Sequence, residues 1–448
     1  MARVLPFGGY RYNVEKIGDL GAVVSPPYDV IADEFRRELH LRHPYNVIRL
    51  ILGEDRTGDG ASENRYIRAS RYFQEWEEAG IILRDPRPGF YVYRQEYPWK
   101  WGQRCVRTGL IGMVGLEEYS AGVIFPHERT MPGPKADRLK LLQALPVNLE
   151  QIFCFYPGPP EPIRGLLERA FQDPPLYDFW EGEETRHRLW ALQETHALAE
   201  IHNAFRDRQL IVADGHHRYE TALTFRREML GVDRNPSPVK AYNHVMMTLV
   251  SAEDEGLTVL PTHRLVTPPR HQRPTQILQA LEPYFHLDRR VIAPTERRIQ
   301  KYLQEMEDRG GEDHVLGLYV GGDAFYLLTL KNTGLNATMV ESGDSQAFQE
   351  MDLVILHHLV FQKLLDLHDE AMIGYTHDEG FALEQVRAGR YAGAFFLNPT
   401  PVAQVVEVAT AGERLPAKAT YFYPKLVSGL VFLKVDPGEV LEVSSELL

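Results

Sequence analysis

The chain has 448 residues, more than one ordinary domain holds, which points to two or three domains. With 44% hydrophobic and 25% charged residues it has material for a sizeable core, which excludes a largely disordered chain. A net charge of -13 argues against gripping duplex nucleic acid by its phosphates or spreading over an acidic membrane, while leaving room for a local basic patch.

The two cysteines, Cys105 and Cys154, form neither a disulfide framework nor a zinc spacing. Cys154 sits in the apolar run 152–155 and is expected in the core. The first residues contain no continuous apolar signal segment, and no run approaches the ~20 residues of a membrane helix. Even 346–367 is interrupted by Gln349, Glu350, Asp352, His357 and His358. The expectation is a soluble, cytoplasmic protein.

Strand and helix signals alternate along the chain, so the expected class is α+β (mixed α/β). Residues 46–52 read as a strand. Residues 65–80 place Tyr66, Ile67, Ala69, Tyr72, Phe73 and Trp76 at helical spacing. A strand pair is expected at 89–95 and 107–117, with Trp99, Lys100, Trp101 and Gly102 in the connection. A helix with an apolar leucine face follows at 135–145, and 157–162 is a proline-rich loop.

A long helix is expected over 188–207, then a strand at 209–213, a tight polar turn and a helix at 218–230. A break marked by Pro268, Pro269 and Pro274 covers 267–274. Beyond it the pattern predicts helices at 275–283 and 295–308 and a strand pair at 315–320 and 324–330. Further helices are expected at 346–367 and 379–388, and strands at 393–397, 404–409 and 428–435. No internal repeat or low-complexity tract is present.

The sharpest local pattern is Asp214-Gly215-His216-His217-Arg218, between an apolar strand and an amphipathic helix. A strand-turn-helix junction aims backbone N–H groups and the positive end of the helix dipole at one spot. Gly215 permits close approach of a ligand to the backbone. Arg218 offers a forked, permanently charged donor for phosphate oxygens. Such a junction is also met as a plain capped helix. Five chemically capable positions in a row favour function. Zinc needs at least three ligands, and adjacent His216 and His217 do not share a helix face, so phosphate fits better than zinc.

Other polar groups follow apolar runs. His127 and Glu128 form one such group, suited either to general-base work or to a salt-bridged turn. Lys135, Asp137 and Arg138 read as surface charge on a helix. Pro261-Thr262-His263-Arg264 puts a histidine and an arginine at a strand end. Ser25-Pro26-Pro27-Tyr28-Asp29-Val30 is a rigid turn in which Tyr28 is expected to pack. Pro416-Ala417-Lys418-Ala419-Thr420-Tyr421-Phe422-Tyr423-Pro424-Lys425 lines a cleft or forms an amphipathic strand with snorkelling lysines.

Together the segments 25–31, 127–130, 213–218, 261–264 and 416–425 resemble the prokaryotic family known as domain of unknown function 1015. The resemblance spans essentially the whole chain, and the Asp-Gly-His-His-Arg run is its most specific mark. That family is similar to the ParB-like and sulfiredoxin-like superfamily, whose free-serine kinases carry a related Asp-Gly-His-x-Arg turn with a glutamate from an earlier segment opposite it. Ala419 departs from the family pattern, which has a small hydroxyl residue there.

The resemblance implies a ParB/sulfiredoxin-like nucleotide-binding core at 111–268, an N-terminal α/β segment at 1–110 and a C-terminal α/β domain at 269–448. It implies a small-molecule kinase, with free L-serine as acceptor, ATP or ADP as donor and Mg2+ on Asp214. Gly215, His216, His217 and Arg218 would cradle the phosphates, with Arg264, Lys418 and Lys425 as further ligand-binding cations. Glu128 or His127 would take the hydroxyl proton, and His217 would support Arg218 in stabilising the transferred charge. Two other readings use the same residues: a nucleotide-binding regulator without turnover, and a metal-dependent hydrolase built on Asp214, His216, His127 and Glu128. The expected partners are a nucleotide and a small substrate, with neither membrane nor duplex nucleic acid.

Overall fold

The computed structural model describes residues 2–267, 274–293, 299–331, 345–416 and 418–441. The fold is mixed α/β and divides into two units. The first comprises Met1–Pro126, Thr130–Thr258 and Pro424–Leu448, and the second His127–Arg129 with Val259–Tyr423.

The first unit is organised by a nine-stranded sheet. Its strands run in the order Ile124–Pro126, Leu210–Asp214, Ile152–Tyr156, His244–Ser251, Arg104–Gly115, Phe90–Pro98, Thr185–Leu192 and Tyr177–Glu181, with Val4–Leu5 pairing on Arg104–Gly115. The central strand Ile152–Tyr156 is buried at every position. One of its faces joins Ile152, Cys154 and Tyr156 to Ile201 and Phe205 of the helix Thr195–Phe205 and to Tyr219, Ala222 and Leu223 of the helix His216–Val232. A strand apolar on both faces is what a central, covered position requires, and Cys154 is the core residue its surroundings predict.

The expected strand pair and the helices at 65–80 and 135–145 form as Phe90–Pro98 with Arg104–Gly115, Arg65–Glu78 and Pro132–Ala144. Other expectations fail. Residues 46–52 hold a short helix, Ile48–Ile51, because the Asn46 side chain accepts from the Ile48 N–H at 2.9 Å and donates to the Ala22 and Val24 carbonyls. An apolar run of this length does not by itself separate strand from helix. The long helix over 188–207 is a strand, Thr185–Leu192, followed by the helix Thr195–Phe205. The alternate burial of Thr185, His187 and Leu189 is a two-residue period that begins upstream of the window read as helix.

The second unit is built on a six-stranded antiparallel sheet. The order is Phe285–Val291, Ala324–Leu330, Val315–Tyr319, Gly393–Phe396, His263–Val266 and Ile373–Thr376. The helices Gln300–Arg309 and Glu379–Arg387 give Tyr302, Met306, Ala382, Leu383 and Val386 to its core.

The expected strand at 404–409 is instead a helix, Val402–Thr410, which buries Val405, Val408 and Ala409 at the i, i+3, i+4 spacing of one helical face. The single helix over 346–367 is broken into Gln346–Gln349, Asp352–Val354 and a wider-turned segment Ile355–Leu364. His263 and Arg264 open the strand His263–Val266, shortly after the strand Thr258–Leu260 ends. The strand expected over 428–435 is reduced to Leu433–Lys434, in the first unit. Pro268, Pro269 and the start of the expected helix at 295–308 lie outside the described residues. Among the described residues no helix is long and apolar enough to cross a membrane.

Candidate functional site

The strand Leu210–Asp214 runs parallel to Ile124–Pro126 and antiparallel to Ile152–Tyr156. Its register shifts at the end, where Val212 faces Cys154 and Asp214 faces Phe153. The extra residue is a bulge, a local irregularity that re-aims the side chain following it. Gly215 comes next at φ +94°, in the left-handed region, and the helix His216–Val232 starts directly after it. Gly215 has no side chain with which to cap that helix.

The structure adds a reason for glycine beyond the expected one. A Cβ at 215 would lie 3.0 Å from both Nε and Nη2 of Arg218. The guanidinium therefore folds back over the turn, into space that only glycine leaves open. Arg218 Nη1 donates to the Gln151 carbonyl at 2.8 Å, while Nε is buried with no hydrogen-bond partner among the described residues. Burial alone would lower its pKa, but Glu150, Asp214, Asp29 and Tyr28 raise it, so Arg218 is held as a cation.

Asp214 Oδ2 is 2.8 Å from Lys425 Nζ. Burial would raise the Asp214 pKa, yet the Lys425 and Arg218 charges, the Lys425 hydrogen bond and His216 outweigh it and hold the carboxyl far below the usual carboxylate range. Lys425 is pinned by its backbone. Its carbonyl accepts from Gln95 Nε2 at 3.0 Å, and the preceding Pro424 carbonyl accepts from the fully buried Arg107 at 2.5 Å. Asp29 is the second carboxylate here. It keeps an exposed surface, but the surrounding protein raises its pKa and the Asp214 charge raises it further, against Arg218 and Lys425.

His216 is buried, and His217 Nε2 accepts the Met131 backbone N–H at 2.8 Å, just before the helix Pro132–Ala144. Arg138 on that helix is buried, not the surface charge its sequence suggested. It stacks 4.0 Å over the Tyr28 ring, donates to the Ile51 carbonyl and pairs with Asp137. Glu150 accepts from the Tyr28 N–H at 3.2 Å and from the Ser428 hydroxyl at 3.0 Å. Tyr28 is thus packed, as expected.

Asp29, Glu150 and Gln151 were not singled out as site residues. Asp29 had a signal, since it lies in one of the family-like segments. Glu150 and Gln151 had only their polarity, immediately before a fully apolar strand.

The remaining candidates belong to the second unit. His127 is fully buried, with Nε2 2.8 Å from the Thr420 hydroxyl and its ring edge-on to Phe422. Glu128 Oε1 accepts the Lys418 backbone N–H at 2.5 Å, and Lys418 takes a positive φ of 59°. The Lys418 carbonyl accepts from Arg264 Nη2 at 3.0 Å. Lys418 is therefore held by its backbone, and its residue is exposed.

Among the described residues no three His, Cys, Asp or Glu side chains stand close enough to hold a metal. Mg2+ makes a smaller demand, one or two carboxylates plus the substrate's own phosphates, and Asp214 with Asp29 fits that demand.

No curated protein matches the chain. Among solved structures it is similar to a free serine kinase in complex with AMP, at 12% identity and TM-score 0.34, over 77% of this chain and 96% of that one. It is similar to SbnI with a C-terminal truncation from Staphylococcus aureus, at 12% identity and TM-score 0.32, over 71% and 85%. It is also similar to a conserved hypothetical protein from Pyrococcus furiosus, at 12% identity and TM-score 0.30, over 68% and 92%. Residues 4–354 match the family described as "Protein of unknown function (DUF1015)", and the chain belongs to that family.

Proposed function

We propose that the 214–218 turn of the first unit binds the phosphates of a nucleotide, and that the protein is a small-molecule phosphotransferase with a hydroxyl acceptor, free L-serine being the first to test. The observation that carries this reading is the Arg218 guanidinium folded over Gly215, its Nε–H without a partner among the described residues, at the start of a 17-residue helix. A buried donor on a fixed cation is costly to leave unmade, and a phosphate oxygen would satisfy it. The helix start adds its partial positive charge at the same point.

Phosphoryl transfer is mostly positioning and charge neutralisation. Arg218 and Lys425 supply two cations. Asp214, kept ionised, and Asp29 would hold Mg2+, which when bound draws charge from the phosphate oxygens. The acceptor hydroxyl loses its proton to a base as its oxygen bonds to the terminal phosphorus. The bond from that phosphorus to the bridging oxygen breaks, and the shortened nucleotide leaves. Glu128 is proposed as the base on the family resemblance, with His127, Arg264 and Lys418 as accessory groups.

The test is a thermal-shift series with ATP, ADP and AMP plus Mg2+, followed by mass spectrometry for O-phosphoserine after incubation with L-serine. A ligand at ~100 times its Kd stabilises the fold by about 2.7 kcal/mol, a readily visible shift. No shift with any nucleotide sinks the assignment. A second reading, binding without turnover, is favoured by the engagement of Asp214 by Lys425 and of His217 by Met131. A nucleotide shift without phosphoserine, across a panel of hydroxyl acceptors, would select it.

A further inference from the structure

The second unit holds a cavity of about 260 Å³ whose walls include Thr262, Arg264, His314, Glu350, Asp352 and Asn398. Its size is just under the roughly 300 Å³ at which drug-sized sites begin, so it suits a small metabolite.

Arg264 is the unusual wall. It is 1% exposed, and its partners among the described residues are two backbone carbonyls, those of Thr262 and Lys418, and the face of Tyr375. Burial brings its pKa down to about 10, so it is charged at neutral pH. Neighbouring His263 and His357 are pushed down to about 3 by burial and are neutral. Among the described residues Arg264 Nε is buried without a hydrogen-bond partner, and so is the hydroxyl of Thr262. The Glu128 charge attracts this guanidinium, but among the described residues no carboxylate hydrogen-bonds to it, and two unmade polar contacts add to the cost of its burial. A carboxylate entering the cavity satisfies all three.

The rest of the wall carries the opposite sign. Asp352 is 2.9 Å from His314 Nδ1, at the break between two helices, and Glu350 stands exposed two residues earlier. Asn398 adds a neutral amide. A simple anion would meet repulsion from these carboxylates, and a simple cation would leave Arg264 unpaired.

We propose that this cavity binds a small zwitterion of free amino-acid size, its carboxylate received by Arg264 and the Thr262 hydroxyl and its ammonium by Asp352 and Glu350. The site is made wholly from the second unit and does not rest on the nucleotide assignment.

Isothermal titration of the full chain near neutral pH, without nucleotide, tests it. The probes are L-serine, L-alanine and L-glutamate, beside glycolate, which lacks the ammonium, and ethanolamine, which lacks the carboxylate. At least one amino acid is expected to bind with a Kd below about 1 mM, and both half-ligands to bind at least about tenfold more weakly. Thr262→Val keeps the side-chain shape and Glu350→Gln changes an exposed position, so both variants should fold. Each should weaken the amino acid by about tenfold or more, the loss of one charge-assisted contact. Glu350→Gln should leave any nucleotide thermal shift unchanged, which separates this proposal from the one above. Absence of amino-acid binding, equal binding of glycolate or ethanolamine, or unchanged affinity in both variants would each overturn it.

Discussion

Lys425 Nζ and Asp214 Oδ2 lie 2.8 Å apart although 211 positions separate them in the chain. The contact closes the turn of the first unit with a residue from its last segment, and both side chains are only 16% exposed. Replacing one partner of such a pair leaves the other charge partly buried and unpaired. Lys425→Met is expected to destabilise the first unit by about 3 kcal/mol, read by urea unfolding at neutral pH. The sign of the pH dependence follows from Asp214, whose folded pKa is depressed. Its stabilising contribution is present above the unfolded value of about 3.9 and is lost as pH falls through the folded value. The difference between wild type and Lys425→Met should therefore be full at neutral pH and shrink below about pH 4. A gap that stayed constant into acid would show that Lys425 acts through packing alone.

Gly215→Ala tests the backbone and the cation together. The residue sits at φ +94°, where a side chain is strained, and its Cβ would press on the Arg218 guanidinium at 3.0 Å. The strain costs about 1–2 kcal/mol. Displacement of Arg218 should abolish the nucleotide thermal shift as well. Loss of stability with the shift intact would remove Arg218 from phosphate binding.

The turn was legible because its signal is local: an apolar strand, a glycine and a helix start, read over 209–218. Its partners were less so. Lys425 was named for its charge, but nothing in the sequence couples it to Asp214, since the contact depends on how the 424–425 backbone is pinned by Gln95 and Arg107. Arg138 looks like any helix-surface arginine until Tyr28 is found beneath it. The misread elements have the same origin. Residues 404–409 are apolar enough for a strand, and only their packing on one face makes them the helix Val402–Thr410. At 46–52 the deciding group is one Asn46 side chain that reaches back to the Ala22 and Val24 carbonyls.

Asp29→Asn should separate stability from function. Burial and the neighbouring Asp214 raise the Asp29 pKa, so its charged form is disfavoured in the fold. A raised folded pKa means stability is greatest below the unfolded value and declines as pH rises through the folded one. Removing the charge should therefore raise Tm slightly at neutral pH, by less than about 1 kcal/mol after solvent screening, with the gain vanishing in acid. The Mg2+-dependent part of nucleotide affinity should fall in the same variant. A lowered Tm at neutral pH would mean that the Arg218 and Lys425 attractions outweigh burial.

Glu128→Gln decides between turnover and binding alone. Gln retains the Oε1 atom that accepts the Lys418 N–H at 2.5 Å, so the local backbone is expected to hold and Tm to change little. What Gln cannot do is take a proton. If Glu128 is the base, phosphoserine formation should fall by roughly 100-fold or more, the scale of general-base catalysis, while the nucleotide thermal shift is unchanged. A retained rate would move the proton transfer to another group, with His127→Asn the next variant. His127 is fully buried and bonded to Thr420, so that variant must be checked for folding by near-UV circular dichroism before its rate is interpreted. Loss of the nucleotide shift in Glu128→Gln, with Tm intact, would instead make Glu128 a binding group and leave the base unassigned.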